Sequence, residues 1–181
     1  MNEYIVKIKP YSYLINVFMF ILKVIVFLIT KSYGVLISSF YNLIIGFTKK
    51  KIYSNNKYDY VGYMIILASF CFIVYSVLVI IEHKLVNYNL YNGLLVATIS
   101  FFDIGYSIYG IVKSKCKNKQ LHTLKLVNLA TSLISLQLTQ SAILSFTQVG
   151  VDNSLYNGLI GILAGIGAIL VGIVAQLNRK K

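Results

Sequence analysis

Apolar residues gather in six runs, at 11–29, 32–47, 60–81, 90–112, 124–146 and 155–177, with short lysine-rich segments between most of them. The runs do not alternate apolar and polar positions, so they are not the strands of a membrane β-barrel. A helix needs about 20 residues to cross about 30 Å of hydrocarbon. Five of the runs meet that length; the second has 16 residues and reaches only about 24 Å at 1.5 Å per residue. The pattern predicts an all-α polytopic membrane protein forming a single integral membrane domain over 1–181, with six transmembrane helices. The short second one must thin the bilayer, tilt little, or stop as a re-entrant segment.

Charge gives the orientation. With the amino terminus inside, cytoplasmic segments carry Lys7, Lys9, Lys49, Lys50, Lys51, Lys57, Lys113, Lys115, Lys117, Lys119, Lys125, Arg179, Lys180 and Lys181, 14 of the 17 basic residues. Lys31 and Lys84 fall outside, and Lys23 lies within a span. Such asymmetry follows the positive-inside rule and places both termini in the cytoplasm. A five-span alternative, with 11–47 as one crossing, leaves Lys7 and Lys9 outside. The loop lysines are expected to set orientation and meet anionic lipid at the cytoplasmic face. The first run contains Lys23 and is followed by Thr30-Lys31-Ser32-Tyr33, with no small-residue cleavage pattern. It is expected to stay as a helix rather than leave as a signal peptide.

Composition narrows the class further. The 181 residues are 57% hydrophobic and 12% charged, with a mean hydropathy of +0.74. That excludes disorder, and apolar runs this long exclude an ordinary soluble globule. The net charge of +12 is confined to the flanks of the runs. It therefore indicates a membrane face and not nucleic acid. Cys71 lies in an apolar run and Cys116 in a lysine-rich loop, which is no disulfide framework.

Leu90-Tyr91-Asn92-Gly93-Leu94 recurs as Leu155-Tyr156-Asn157-Gly158-Leu159, an offset of 65. One reading is a repeat of two hairpins about an axis along the membrane normal. The other is chance, or asparagine capping two helix starts. In the sixth run Gly158, Gly161, Gly165, Ala168, Gly172 and Ala175 share one face. Gly161, Gly165 and Gly172 are expected to serve close helix packing, and the face offers a surface for a homo-oligomer. The fifth run is the most polar. Asn128, Ser132, Ser135 and Thr139 follow helical steps, broadened by Gln137, Gln140 and Ser141. They read as interhelical hydrogen bonding or as the wall of a polar path.

Two charges lie within spans, Lys23 in the first and Asp103 in the fourth. Each costs about 2.5–3.5 kcal/mol on insertion scales. Their depths allow a salt bridge, structural or gating. Left unpaired, Asp103 would be free to carry protons or coordinate a cation. His83 and His122 fall on opposite faces, and no metal-ligand spacing, phosphate loop or catalytic constellation is present. No enzyme activity, cofactor or metal is expected.

Ser32-Tyr33-Gly34-Val35-Leu36-Ile37-Ser38-Ser39-Phe40-Tyr41-Asn42, then Lys57-Tyr58-Asp59-Tyr60-Val61-Gly62-Tyr63 and Ile81-Glu82-His83, resemble the order of features in the membrane half of the cation diffusion facilitators. The resemblance covers about the first 85 residues and implies six spans, both termini inside, and a transporter-like scaffold. The positions that would match that family's metal ligands hold Ser38, Tyr41 and Ile45 in the second span. In the fifth they hold Asn128 and Leu124, so the resemblance implies a reduced relative without the usual metal site or cytoplasmic carboxy-terminal domain. From the fourth span on, the chain resembles small bacterial multi-pass proteins of low-GC genomes. The functional expectation is a transporter-like or channel-like protein of the plasma membrane. Asp103, Lys23 and the Asn128–Thr139 stripe would line or gate a path for a proton or cation. The rival is a non-transporting scaffold or regulator of a partner protein.

Overall fold

The computed structural model describes residues 12–55, 60–83, 88–113, 119–147 and 151–180. Six helices fill them: α1 (Ser12–Thr30), α2 (Tyr33–Asn55), α3 (Val61–Ile81), α4 (Leu90–Lys113), α5 (Lys119–Thr147) and α6 (Ser154–Lys180). Five are long and apolar enough to cross a membrane, over Tyr13–Thr30, Val61–Ile81, Leu90–Val112, His122–Thr147 and Ser154–Leu177. That supports a multi-pass membrane protein, since helices satisfy their own backbone in hydrocarbon.

Helix α2 is not among those five. Its apolar run ends at 47, yet the helix continues through Thr48, Lys49, Lys50 and Lys51 to Asn55. At 23 residues it is about 34 Å long, so length does not stop it from crossing. Along this continuation Lys49 is buried and Lys50 and Lys51 stay exposed, and all three lie over tyrosine rings. Lys49 Nζ lies 5.5 Å from the centroid of the Tyr106 ring, Lys50 Nζ 5.8 Å from Tyr13, and Lys51 Nζ 5.8 Å from Tyr60. Consecutive residues on a helix point about 100° apart, so three lysines in a row reach α4, α1 and the start of α3. Lys49, expected in a loop, is instead a buried helix residue at 1% exposure.

Breaks between helices have local causes. Lys31 ends α1 with φ 54°, and the Thr30 hydroxyl accepts from the Ser32 N–H. Asn89 caps α4 by accepting the Asn92 N–H at 2.8 Å. Asp152 accepts the Ser154 N–H at the start of α6 and reaches His83, at the end of α3, at 3.2 Å. The Ser154 hydrogen bonds, with His83 as a smaller influence, hold the Asp152 carboxyl below its ordinary range.

The helices alternate in direction. Tyr88 on the approach to α4 bonds Ser32 between α1 and α2, so these segments share one end with the His83–Asp152 contact. Tyr13, Tyr60 and the three lysines mark the opposite end. The principal contacts form a ring, α1–α2–α3–α6–α5–α4 and back to α1, with α2 meeting α5 across the middle. Exchanging α1, α2 and α3 for α4, α5 and α6 leaves this set of neighbours unchanged. Because α1 and α4 run oppositely, the two three-helix halves share one pattern of neighbours in opposite directions, as an inverted repeat would.

The hairpin repeat read from the offset of 65 does not match this arrangement. Helices α5 and α6 pack together, whereas α3 and α4 are not principal neighbours. The two motif copies also meet different surroundings. A side chain at Gly93 would meet Phe146 on α5, and one at Gly158 would meet Ile80 and Ser76 on α3. The small residues of α6 are covered within the chain: Gly161 lies on Ser76, Gly165 on Ile73 and Gly172 on Ile66 and Gly62. That face is therefore occupied by α3, and a second copy would have to use another.

Candidate functional site

Four helices meet around one carboxylate. The inner face of α4 reads Gly93, Val96, Ala97, Ser100, Asp103 and Ser107, all buried and mostly small. Small side chains draw α4 close to α5 and leave room for Asp103. The inner face of α1 reads Asn16, Met19, Lys23 and Val26, and that of α2 includes Ser38, Asn42, Ile45, Lys49 and Ile52. Both follow the three- and four-residue steps of a single buried stripe.

Lys23 Nζ donates to Asp103 Oδ2 at 2.7 Å, with the two side chains 2% and 1% exposed. The same oxygen accepts from Ser135 Oγ of α5 at 2.7 Å and from Asn42 Nδ2 of α2 at 3.1 Å. Lys23 also donates to Ser38 Oγ at 2.8 Å. A buried ion pair is tolerable only with such additional hydrogen bonds, because desolvation otherwise exceeds the Coulomb gain. Lys23, Ser38 and Asn42 belong to the first half; Asp103 and Ser135 belong to the second. The charge centre is thus a clasp between the two halves.

A second polar step lies toward the Tyr60 end. Lys49 Nζ donates to Asn16 Oδ1 at 2.8 Å and stands over Tyr106. Asn16 and Lys23 are seven residues apart on one face of α1, about 10 Å along the helix. At the other end Tyr88 donates to Ser32. Buried polar groups therefore recur along the α1–α2–α4 seam from one end to the other. Among the described carboxylates, Glu82 and Asp152 lie at the opposite end from Lys49, and Asp103 is committed to Lys23. Lys49→Met is expected to cost about 1–3 kcal/mol, because it leaves the Asn16 carbonyl buried without a donor. Asn16→Leu with Lys49→Met should regain most of that, read as the thermal midpoint in detergent.

The polar stripe on α5 divides. Ser135 reaches Asp103. Thr139 is buried but donates to the Ser135 carbonyl of its own helix, and half-exposed Ser132 donates to Leu129. Such back-bonds satisfy a hydroxyl locally, so Ser132 stands off the charge centre. Gln137 and Ser141 face α6: Gln137 Nε2 donates to Ser141 Oγ at 2.9 Å, and Ser141 Oγ to Asn157 Oδ1 at 3.0 Å. Asn128 packs against Gly110 of α4, and Gln140 is half-buried. The buried carbonyls of Asn42, Asn128, Gln137 and Gln140 find no donor. Helix α5 carries this many polar groups because it is more enclosed than the other four helices long and apolar enough to cross. More than half of its apolar window is buried, against a third or less in the other four.

Sequence reasoning passed over Asn16, Asn42 and Lys49. Their signal was spacing: Asn16 and Lys23 stand seven apart, as do Asn42 and Lys49. Among the described residues no three His, Cys, Asp or Glu gather as metal ligands. Lys7, Lys9, Lys57, Lys84, Lys115, Lys117, Lys181 and Cys116 lie outside the described residues.

No protein-family model, curated protein or solved structure matches the chain. The fold and site define a class: a multi-pass helical protein with a hydrogen-bonded ion pair between its first three and last three helices.

Proposed function

We propose that the chain is a small transporter-like or channel-like protein of the plasma membrane. In this reading it has six spans, α2 included, and both ends lie at the cytoplasmic face. The Lys23–Asp103 pair gates a polar path for a proton or a cation. One observation carries this reading. The ion pair bridges α1 of one half to α4 of the other, 2.7 Å across, where inverted-repeat transporters move one half against the other. Intramembrane charge is costly and marks ion or proton pathways. Parting the halves would free Asp103 from Lys23 and Asn42 and leave it, with Ser135, facing the seam. The Asn42 carbonyl, beside the pair and without a donor, supplies a further oxygen acceptor for a hydrated ion.

The test is flux. The full chain in proteoliposomes, offered protons and a panel of mono- and divalent cations, should carry at least one of them faster than protein-free liposomes. Absence of flux for every ion, with the protein shown to be folded, would remove the reading.

A second reading has its own support. Asp103 Oδ2 already holds three donors, so the pair is also suited to locking a non-transporting scaffold or regulator of a partner protein. Flux separates the two.

A further inference from the structure

Among the described residues a groove opens between α2 and α3 at the Tyr60 end. Ile44, Phe47 and Lys51 form one wall, spaced at three and four residues along α2. Val61 and Met64 of α3 form the other, with Tyr60 at the mouth. Its volume is about 340 Å³. The walls are apolar. The hydroxyl of Thr48, which also lines it, donates to the Ile44 carbonyl at 2.8 Å. Among the described residues the one charge in the lining is Lys51, close to the end of α2, its Nζ 5.8 Å from the centroid of the Tyr60 ring. From Lys51 the groove runs two helical turns toward the membrane interior, about 10 Å. The described carboxylates are elsewhere, Asp103 at the centre and Glu82 and Asp152 at the other end.

We infer that this groove binds an anionic phospholipid, with the phosphate at Lys51 and an acyl chain laid along Ile44, Phe47 and Met64. Charge complementarity chooses the ligand. A cation at the membrane-surface end of an apolar slot matches an amphiphile with an anionic head. Basic sites between membrane helices recognise such headgroups, at about 1 kcal/mol per lysine near the surface. Apolar walls running inward from Lys51 suit an acyl chain lying beneath an anionic head. Tyr60 adds an amphipathic ring at the headgroup level. The inference requires a membrane but not conduction through the charge centre.

Native mass spectrometry of the purified full chain decides it, with phosphatidylglycerol and phosphatidylcholine of identical acyl chains as probes. Wild type should retain the anionic lipid about fivefold over the neutral one. Lys51→Gln should bring that ratio close to one with an unchanged thermal midpoint, and Lys31→Gln, at the opposite end, should leave it as it was. Met64→Trp, which fills the slot, should reduce retention of both lipids. The site is disproved if Lys51→Gln leaves the ratio unaltered, or if Lys31→Gln lowers it equally, which would mean diffuse charge. Unchanged retention in Met64→Trp, or a wild-type dimer that this variant makes monomeric, also disproves it.

Discussion

Asp103→Asn is expected to lower the stability of the chain by about 3–5 kcal/mol, because it strands the Lys23 ammonium in the bundle with no counter-charge. For a chain of this size that is a fall of about 10 °C in thermal midpoint. The loss is mostly the penalty of an uncompensated buried charge, so removing both charges should cost far less. Lys23→Met with Asp103→Leu is expected to recover much of the loss, since replacing a buried pair by apolar residues is often close to neutral; the Asn42 amide, left without its acceptor, accounts for about 1–3 kcal/mol of what remains. Ser38 and Ser135 can turn their hydroxyls to carbonyls of their own helices, as Thr131 and Ser69 already do. The check is the double-mutant cycle, read by thermal unfolding in one detergent. If Asp103→Asn alone unfolds at the wild-type temperature, the clasp carries no stability and the described geometry is not what holds the halves together.

The second large effect lies at the α3–α6 seam. A Cβ at Gly62 would stand 2.5 Å from the Gly172 carbonyl oxygen and 2.7 Å from Gln176 Cβ. A backbone oxygen on a facing helix cannot rotate away as a side chain can. Gly62→Ala should therefore force α3 and α6 apart and cost about 1–3 kcal/mol. Gly105 is the internal control. A Cβ there meets nothing within 4 Å, so Gly105→Ala should be neutral or gain up to about 1 kcal/mol from helix propensity. Equal midpoints for the two variants would show that α3 and α6 do not pack in this register.

The positions of five helices were legible in the sequence because long apolar runs have few alternative readings. The end of α2 was not. Hydropathy stops at Phe47, but the helix goes on, with Lys49 buried on Asn16 and Tyr106 of other helices, contacts that hydropathy does not register. Neighbour relations were equally hidden. The five-residue motif at offset 65 pointed to a hairpin repeat, whereas packing relates three helices to three. The glycine face of α6 was plain in the sequence, but not that α3 covers it.

At the candidate site, Lys23 and Asp103 stood out because a charge inside an apolar run is conspicuous. Asn42 did not, since a lone asparagine is common in a helix, and Ser38 was marked only through the family resemblance; only the fold brings both to the same ion pair. The stripe on α5 mixed three roles that share one helix: contact with Asp103 by Ser135, contact with α6 by Gln137 and Ser141, and back-bonding by Ser132 and Thr139. Spacing alone does not separate them.

On the proposed function, Lys23 and Asp103 gate a path rather than merely tie it shut. The direct measurement compares gradient-driven proton and cation flux in proteoliposomes for wild type and for Lys23→Met with Asp103→Leu, both shown to be folded by their melting. The account predicts flux in the wild type that the neutral variant loses. Flux of equal rate in both, or in neither, would contradict it.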